Sequence, residues 1–255
     1  MKRSNLNRDS TGAVPTMRLT NSTGDKRYSR RTVIKATMTL ATGMAIARTL
    51  DTTFPGLVPD DRERQLLAAD AEEGWRPLFD GKSLTNWKPT RFGGDGEIHI
   101  ENGELIFEQG SPLTGLTWTK EFPKQDFEIS LEAKRVEGSD FFVGLTFPVR
   151  DSHASFIVGG WAGSVVGISC IDGHDASDNN TTKVIKFDNG KWYKFKVQVR
   201  ADRIKCWIDG EAIIDEDIKG KRIHTRNEVD PSRPLGIATF ETKAALKNFQ
   251  YRVVK

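Results

Sequence analysis

A chain of 255 residues, 37% apolar and 29% charged, can hold one large soluble domain or two small ones, and is neither a membrane bundle nor a disordered polymer. Fourteen Phe and six Trp supply enough bulk for a sizeable core without staples. The net charge of +3 is unevenly spread: residues 1–47 carry nine Lys/Arg against two Asp/Glu, which leaves 29 basic against 33 acidic residues in the remainder. The basic excess therefore belongs to the leader, and attraction of the folded part to nucleic acid has no support.

Ser29-Arg30-Arg31-Thr32 precedes Ala36–Ala47, twelve residues without a charge, ending in the small-residue run Ala45-Ile46-Ala47. This order of basic region, apolar run and small residues reads as a secretory signal over residues 1–47. The paired arginines resemble the twin-arginine export signal, which implies the twin-arginine translocase as a partner and a periplasmic or extracellular location. Twelve residues are too few to span a membrane, which needs about twenty. The basic region is long when counted from Met1, and Met17 is an alternative start. Residues 48–73, broken by Pro55, Gly56 and Pro59, read as a connector with a short charged helix near its end. Only two cysteines occur, Cys170 and Cys206. The resemblance to a twin-arginine substrate, which folds before export in the reducing cytoplasm, implies no essential disulfide, and Cys206 alternates with Ile204 and Ile208 as a buried thiol does.

From Gly74 the hydrophobic period changes to two. Ile98-His99-Ile100, Asn102-Gly103 and Leu105-Ile106-Phe107 read as a hairpin, because Asn-Gly accepts the positive φ values of a type I′ turn. Phe127, Ile129, Leu131 and Ala133 alternate with Glu128, Ser130, Glu132 and Lys134. In the centre, Phe141, Val143, Leu145 and Phe147 share one parity while Gly144 and Thr146 take the other. Gly167 and Ser169 oppose Val166 and Ile168 in the same way, and Gly236 and Ala238 oppose Leu235 and Ile237. Tyr193, Phe195, Val197 and Val199 form another half-buried strand. Ile204, Cys206 and Ile208 lead through Asp209-Gly210 into a second hairpin, and Phe249, Tyr251 and Val253 close the chain. Short strands, frequent turns and no long helical period predict one all-β domain over residues 74–255, an antiparallel β-sandwich or jelly roll.

The stretch Gly74-Trp75-Arg76-Pro77-Leu78-Phe79-Asp80-Gly81-Lys82-Ser83-Leu84-Thr85-Asn86-Trp87 resembles the opening of the 3-keto-disaccharide hydrolase family. Asn102-Gly103-Glu104-Leu105, Asp126-Phe127-Glu128-Ile129, Lys191-Trp192-Tyr193, Trp207-Ile208-Asp209-Gly210, Pro234-Leu235-Gly236-Ile237 and Lys247-Asn248-Phe249 follow in the family's order. The resemblance spans roughly residues 74–255. It implies a concanavalin/laminin-G-like jelly roll and action on 3-keto sugars. The stretches Gly138–Gly144 and Val158–Gly163 depart from the family's central strands and mark a divergent subgroup.

Small residues on one face of neighbouring strands leave a shelf, either for a ligand or for a loop of the same chain. Asp140, Thr146, Trp161, Ser169 and Asn179 are the residues expected to touch a saccharide there. Trp161, between Gly160 and Gly163, either stacks on a sugar ring or belongs to the core. Asp172, His174 and Asp175 fall in a polar segment, Ile171–Asn180, that reads as a solvated loop, a sugar-binding rim or a divalent-cation loop. No ligand spacing there indicates a metal, and no cofactor is implied. His153 and His174 sit beside carboxylates and suit acid–base work.

The resemblance implies chemistry in which the C3 ketone acidifies the C2 proton of a glycoside. A base drawn from Asp172, His174 and Asp175 removes that proton, the C1 substituent leaves, and water adds. A lectin-like binding module without turnover is the second reading. A cell-envelope protein that docks another protein on the shelf is the third.

Overall fold

The alternating pattern becomes fifteen strands over residues 74–255, which the computed structural model describes and which lie within the compact unit Pro55–Lys255. The expected signal over 1–47 and connector over 48–73 lie outside the described residues. In chain order the strands are β1 (Arg76–Pro77), β2 (Trp87–Pro89), β3 (Ile98–Glu101), β4 (Glu104–Phe107), β5 (Leu113–Trp118) and β6 (Phe127–Gly138). The central strands are β7 (Val143–Val149), β8 (Ser152–Gly159), β9 (Val165–Ser169) and β10 (Lys183–Val184). They are followed by β11 (Tyr193–Val199), β12 (Arg203–Ile208), β13 (Glu211–Asp217), β14 (Gly236–Phe240) and β15 (Thr242–Val253).

The first sheet runs β13-β12-β11-β6-β15-β4-β3, with β1 paired to β15; the second runs β10-β9-β8-β7-β14-β5-β2. Every pairing is antiparallel. Consecutive strands are joined by hairpins in some places, while distant ones such as β6 and β15 or β5 and β14 are neighbours. This crossing order is that of the expected jelly-roll sandwich.

Alternation decides which side chains meet between the sheets. Phe127, Ile129, Leu131 and Ala133 of β6, with Phe195 and Val197 of the neighbouring β11, meet Val143, Leu145 and Phe147 of β7 and Phe156 and Val158 of β8 in one continuous core. Cys206 is fully buried in it, and its thiol is pushed well above its ordinary range by desolvation. The two tight turns form as their residues require: Asn102 and Gly103 have φ of 52° and 80°, Asp209 and Gly210 of 50° and 86°. The last strand is longer than its sequence announces. A register shift between Lys247 and Gln250, with Asn248 at φ 51°, moves the buried parity from Ala244 and Leu246 to Phe249, so one strand reads as two patterns.

The opening stretch earns its residue types structurally. Asp80 accepts the Lys82 N–H at 2.9 Å, the Ser83 N–H at 2.8 Å and the Ser83 hydroxyl at 3.1 Å, and these bonds, led by that of Lys82, hold its carboxyl below its ordinary value. Trp87 donates its indole N–H to Leu78 O at 2.7 Å and stacks on Phe249 at 5.5 Å. The Leu78 and Phe79 amides both donate to Phe249 O. The motif thus ties the start of the domain to its final strand.

One expected core residue is placed differently. Phe141 does not continue the buried parity of Val143, Leu145 and Phe147; it precedes β7, and its ring lies on the opposite face against Gly144. Phe142 takes the core position instead. The exchange is steric, since a Cβ at Gly144 would stand 2.8 Å from the Phe141 ring.

Candidate functional site

The outer face of the second sheet is where small residues collect. Gly144 and Thr146 of β7, Ser155 and Ile157 of β8, Gly167 and Ser169 of β9, and Gly236 and Ala238 of β14 alternate with core residues and point away from the first sheet. Loops of the same chain cover part of this shelf. Phe141 lies over Gly144, the Ala176 backbone lies 2.7 Å from where a Gly167 Cβ would be, Phe92 covers Gly115, and Ser232 covers Gly236. The flanks of the shelf are plugged by the polypeptide, and a hollow remains between the plugs.

That hollow has a volume of about 260 Å³, just below the range of small-molecule sites, roughly 300–1,000 Å³. Its floor and walls are Leu113, Phe141, Ser155, Ile157, Ser169, Val229 and Phe240, and Pro112, Asp140, Trp161, Arg226 and Glu228 complete the lining. The wall is mostly aromatic and aliphatic, with few polar groups, the composition that suits the faces of a sugar ring and a small number of hydroxyls.

Charge in the lining is organised around one guanidinium. Arg226 donates through Nη1 to Asp175 Oδ2 at 2.7 Å and through Nη2 to Glu228 Oε1 at 2.9 Å. Burial works to raise the Asp175 carboxyl, but hydrogen bonds from the Ser177 hydroxyl (2.6 Å) and amide (2.9 Å), together with Arg226, outweigh it and hold the group below its ordinary value. The Arg226 bond holds Glu228 below its ordinary value as well. Both carboxylates are ionised at neutral pH, and the trio carries one net negative charge.

The expected site residues divide accordingly. Asp140, Trp161 and Ser169 line the hollow. Trp161 is 40% exposed and stands on the short left-handed turn Gly160–Gly163 that follows β8, outside the core. Thr146 lies below the floor, 1% exposed, its hydroxyl 2.9 Å from that of Ser155. Asn179 is spent within its own loop. Its Nδ2 donates to the carbonyls of Ile168 (2.8 Å), His174 (3.2 Å) and Asp175 (2.7 Å), and its Oδ1 accepts from the Thr181 amide and hydroxyl.

Among the three residues expected as catalytic, only Asp175 reaches the hollow, and it does so through Arg226. Asp172, at φ 52°, accepts the Arg222 N–H at 2.8 Å and shapes a turn. His174 is exposed, its Nδ1 3.1 Å from Asp178 Oδ2. Neither lines the hollow. His153 stands one alternation from Ser155 on β8, and burial, followed by the charge of Arg233, lowers its imidazole below the ordinary value. Among the described residues no group of three or more His, Cys, Asp or Glu side chains gathers as a metal site would require.

Arg226 and Glu228 escaped the sequence reading. They precede and open a 3-10 turn, Asn227–Ser232, in a segment without periodicity or motif, and nothing local signals a pairing across the 51 positions that separate Arg226 from Asp175. Phe240 and Leu113 were equally hidden, because strand-end apolar residues look alike whichever face they take.

A family model described as the 3-keto-alpha-glucoside-1,2-lyase-like domain matches residues 74–252. The chain belongs to that family. The match covers nearly every described residue of this 3-keto-alpha-glucoside-1,2-lyase-like domain, as the opening motif implied. No curated protein matches the sequence. Among solved structures, a glycosyl hydrolase candidate from Parabacteroides distasonis is 15% identical at a TM-score of 0.47, over 73% of this chain and 97% of that one. The carbohydrate binding module CBM66 of Bacillus subtilis is 13% identical at 0.42, over 66% and 95%. A Crh5 transglycosylase in complex with NAG is 10% identical at 0.50, over 71% and 84%. At such identities the likeness to this last protein is one of fold, a sandwich of two antiparallel sheets.

Proposed function

We propose that the hollow on the second sheet binds a saccharide and that the domain cleaves the glycosidic bond of 3-keto sugars there. The observation that carries the reading is the lining itself: an exposed indole and two phenyl rings beside the Arg226–Glu228 pair, with Asp175 behind Arg226. Family membership supports the 3-keto substrate class.

The lining residues suit C2 proton abstraction. Glu228, kept ionised by Arg226, is the base: its carboxylate takes the C2 proton, and the C–H electron pair forms an enolate whose negative charge rests on the C3 oxygen. Arg226 holds that oxygen, and Asp175 orients Arg226. The enolate collapses, the C1–O bond breaks, and the leaving oxygen takes a proton back from Glu228, restoring the carboxylate. Water added across the resulting C1–C2 double bond completes net hydrolysis. Asp172 and His174 have no assigned step, because they stand outside the hollow.

Two tests bear on this reading. Purified protein incubated with trehalose oxidised at C3 is expected to release glucose, and Glu228→Gln is expected to abolish release while keeping affinity within about threefold, since charge and not shape is removed. Release at the wild-type rate by Glu228→Gln would remove Glu228 from the mechanism. Binding by the wild type without any release would favour the second reading, a lectin-like module. A specific feature speaks for that alternative: both Asp140 oxygens already accept backbone N–H groups, at 2.7 Å from Phe141 and 3.1 Å from Ala162, which suits a static binding wall.

The proposal includes export by the twin-arginine route, supported by Arg30-Arg31 and the uncharged run that follows. Replacing both arginines with lysine is expected to retain the protein in the cytoplasmic fraction. Unchanged fractionation would count against the route.

A further inference from the structure

The turn that carries Trp161 is built against the preferences of its own sequence. Gly159 (φ 76°), Trp161 (φ 47°, ψ 66°), Ala162 (φ 65°, ψ 31°) and Gly163 (φ 102°) all lie in the left-handed region. Glycine enters that region freely, but in Trp and Ala the Cβ crowds the following carbonyl. Such backbone persists only where its surroundings over-determine it, and it clusters at ligand clamps.

Here the determinants can be named. Asp140 accepts the Ala162 N–H through Oδ2 at 3.1 Å and the Phe141 N–H through Oδ1 at 2.7 Å, and its own N–H donates to Thr242 Oγ1 at 3.1 Å. Arg135 extends the buried parity of β6 beyond Ala133 and donates through Nη2 to Gly163 O at 2.9 Å. Its guanidinium lies 5.3 Å from the centroid of the Phe142 ring. A Cβ on Gly159 or on Gly163 would stand 2.9 Å from that guanidinium, so both glycines are needed for its approach.

Arg135 is an expensive choice for this position. It is 5% exposed, and its Nε is buried without a hydrogen-bond partner. A buried ion with an unmet donor is poorly explained by stability alone, because an apolar side chain of similar size would fill the space without desolvating a charge.

We propose that Arg135 and Asp140 are positioning residues that lock the Gly160–Gly163 turn in its strained form, so that the Trp161 ring is held ready as the stacking platform of the hollow. This deepens the saccharide reading and rests on it. A free loop would have to order its indole on every binding event, whereas a locked one has met that cost during folding.

Ala162→Gly is the decisive variant, because it keeps Trp161 and the backbone bond to Asp140 while removing the strained Cβ. Its melting temperature is expected to rise by about 2 °C, and its affinity for trehalose oxidised at C3 is expected to fall about three- to tenfold as the platform loosens. Arg135→Met is expected to lose about tenfold in affinity, and to lose nothing further, within twofold, in a Trp161→Gly background. A merely structural arginine would cost the same in both backgrounds, and that result would overturn the proposal. So would a lower melting temperature for Ala162→Gly.

Should the wild type bind no 3-keto sugar, the saccharide reading fails, but the positioning claim is still decided. The anisotropy of the Trp161 emission, taken as the difference between each protein and its Trp161→Phe counterpart, is expected to fall in both Ala162→Gly and Arg135→Met. An unchanged value would sink it.

Discussion

The two sheets bury similar residues on their inner faces and present opposite chemistry outside. On the first sheet the outward positions are long and charged, and they satisfy one another. Lys134 pairs with Glu104 at 3.0 Å, Arg252 with Glu128 at 2.7 Å, and Lys205 with Asp215 at 3.0 Å. Its indoles are capped by cations, with Lys134 and Lys247 at 4.4 and 4.2 Å from the Trp192 ring and Lys196 at 4.1 Å from Trp207. On the second sheet most outward positions are Gly, Ala, Ser and Thr, broken by Leu113, Ile157 and Phe240 around the hollow, and the only strongly exposed indole among the described residues is Trp161. Alternation alone thus builds both walls of the sandwich, and the size of the outward residue decides which wall can be a site. A face of long paired charges is already covered, and a face of small residues must be covered by something else.

Experiments can break or sharpen that contrast. The largest effect is expected from the chemistry. Glu228→Gln should lower turnover of a 3-keto disaccharide by about 10²–10⁴-fold, the usual loss of a general base. Glu132→Gln on the first sheet should leave kcat unchanged in the same assay, and comparable losses from both would erase the distinction between the faces.

Next comes packing. Gly167→Ala places a Cβ 2.7 Å from the Ala176 carbonyl and is expected to destabilise by about 1–3 kcal/mol, lowering the melting temperature by several degrees in a calorimetric scan. A neutral result would show that the covering loop is loose. The equivalent probe of the first sheet, Lys196→Ala, removes one half-buried cation–π contact with Trp207 and should cost about 0.5–1 kcal/mol.

Acid should separate the faces more gently. Asp175 and Glu228 are held below their ordinary values of 3.8 and 4.5, so the native state binds these protons less readily than the unfolded chain. Their contribution is complete above the ordinary values and is lost as pH falls through the lowered ones. Denaturant midpoints measured from pH 5 to pH 2.5 should therefore fall less steeply in Asp175→Asn than in the wild type. Parallel curves would mean that the Ser177 and Arg226 bonds to Asp175 do not form in solution. His153 has the smallest expected effect. Its lowered value makes the native state reluctant to take a proton that the unfolded chain accepts near pH 6.5, so some stability is lost between pH 7 and pH 5 and should be retained by His153→Gln.

What the sequence made legible follows from range. Period-two patterns and Asn-Gly or Asp-Gly turns are local, and they delivered β6, β11 and both hairpins together with the inward parity of Val143, Leu145, Val166 and Ile168. The small-residue face was readable for the same reason, and Asp140, Trp161 and Ser169 came with it. The covering of that face was not readable, because Phe141 over Gly144 and Ala176 over Gly167 are steric choices between segments. The clustering of polar residues in 172–180 drew attention to a loop whose polar groups turn inward on itself, as Asn179 does, or outward to solvent, as His174 does. The ionic chain at the hollow joins Arg226 and Glu228 in its lining to Asp175 behind them, 51 positions from Arg226, and only the folded chain brings them together.

The sharpest single measurement is the tryptophan fluorescence of the protein during titration with trehalose oxidised at C3. The expected result is a saturable change in emission that disappears in Trp161→Phe and persists in Trp192→Phe and Trp207→Phe. A change that survives Trp161→Phe and vanishes with either indole of the first sheet would place the ligand on the charged wall and contradict the assignment of the hollow as the saccharide site.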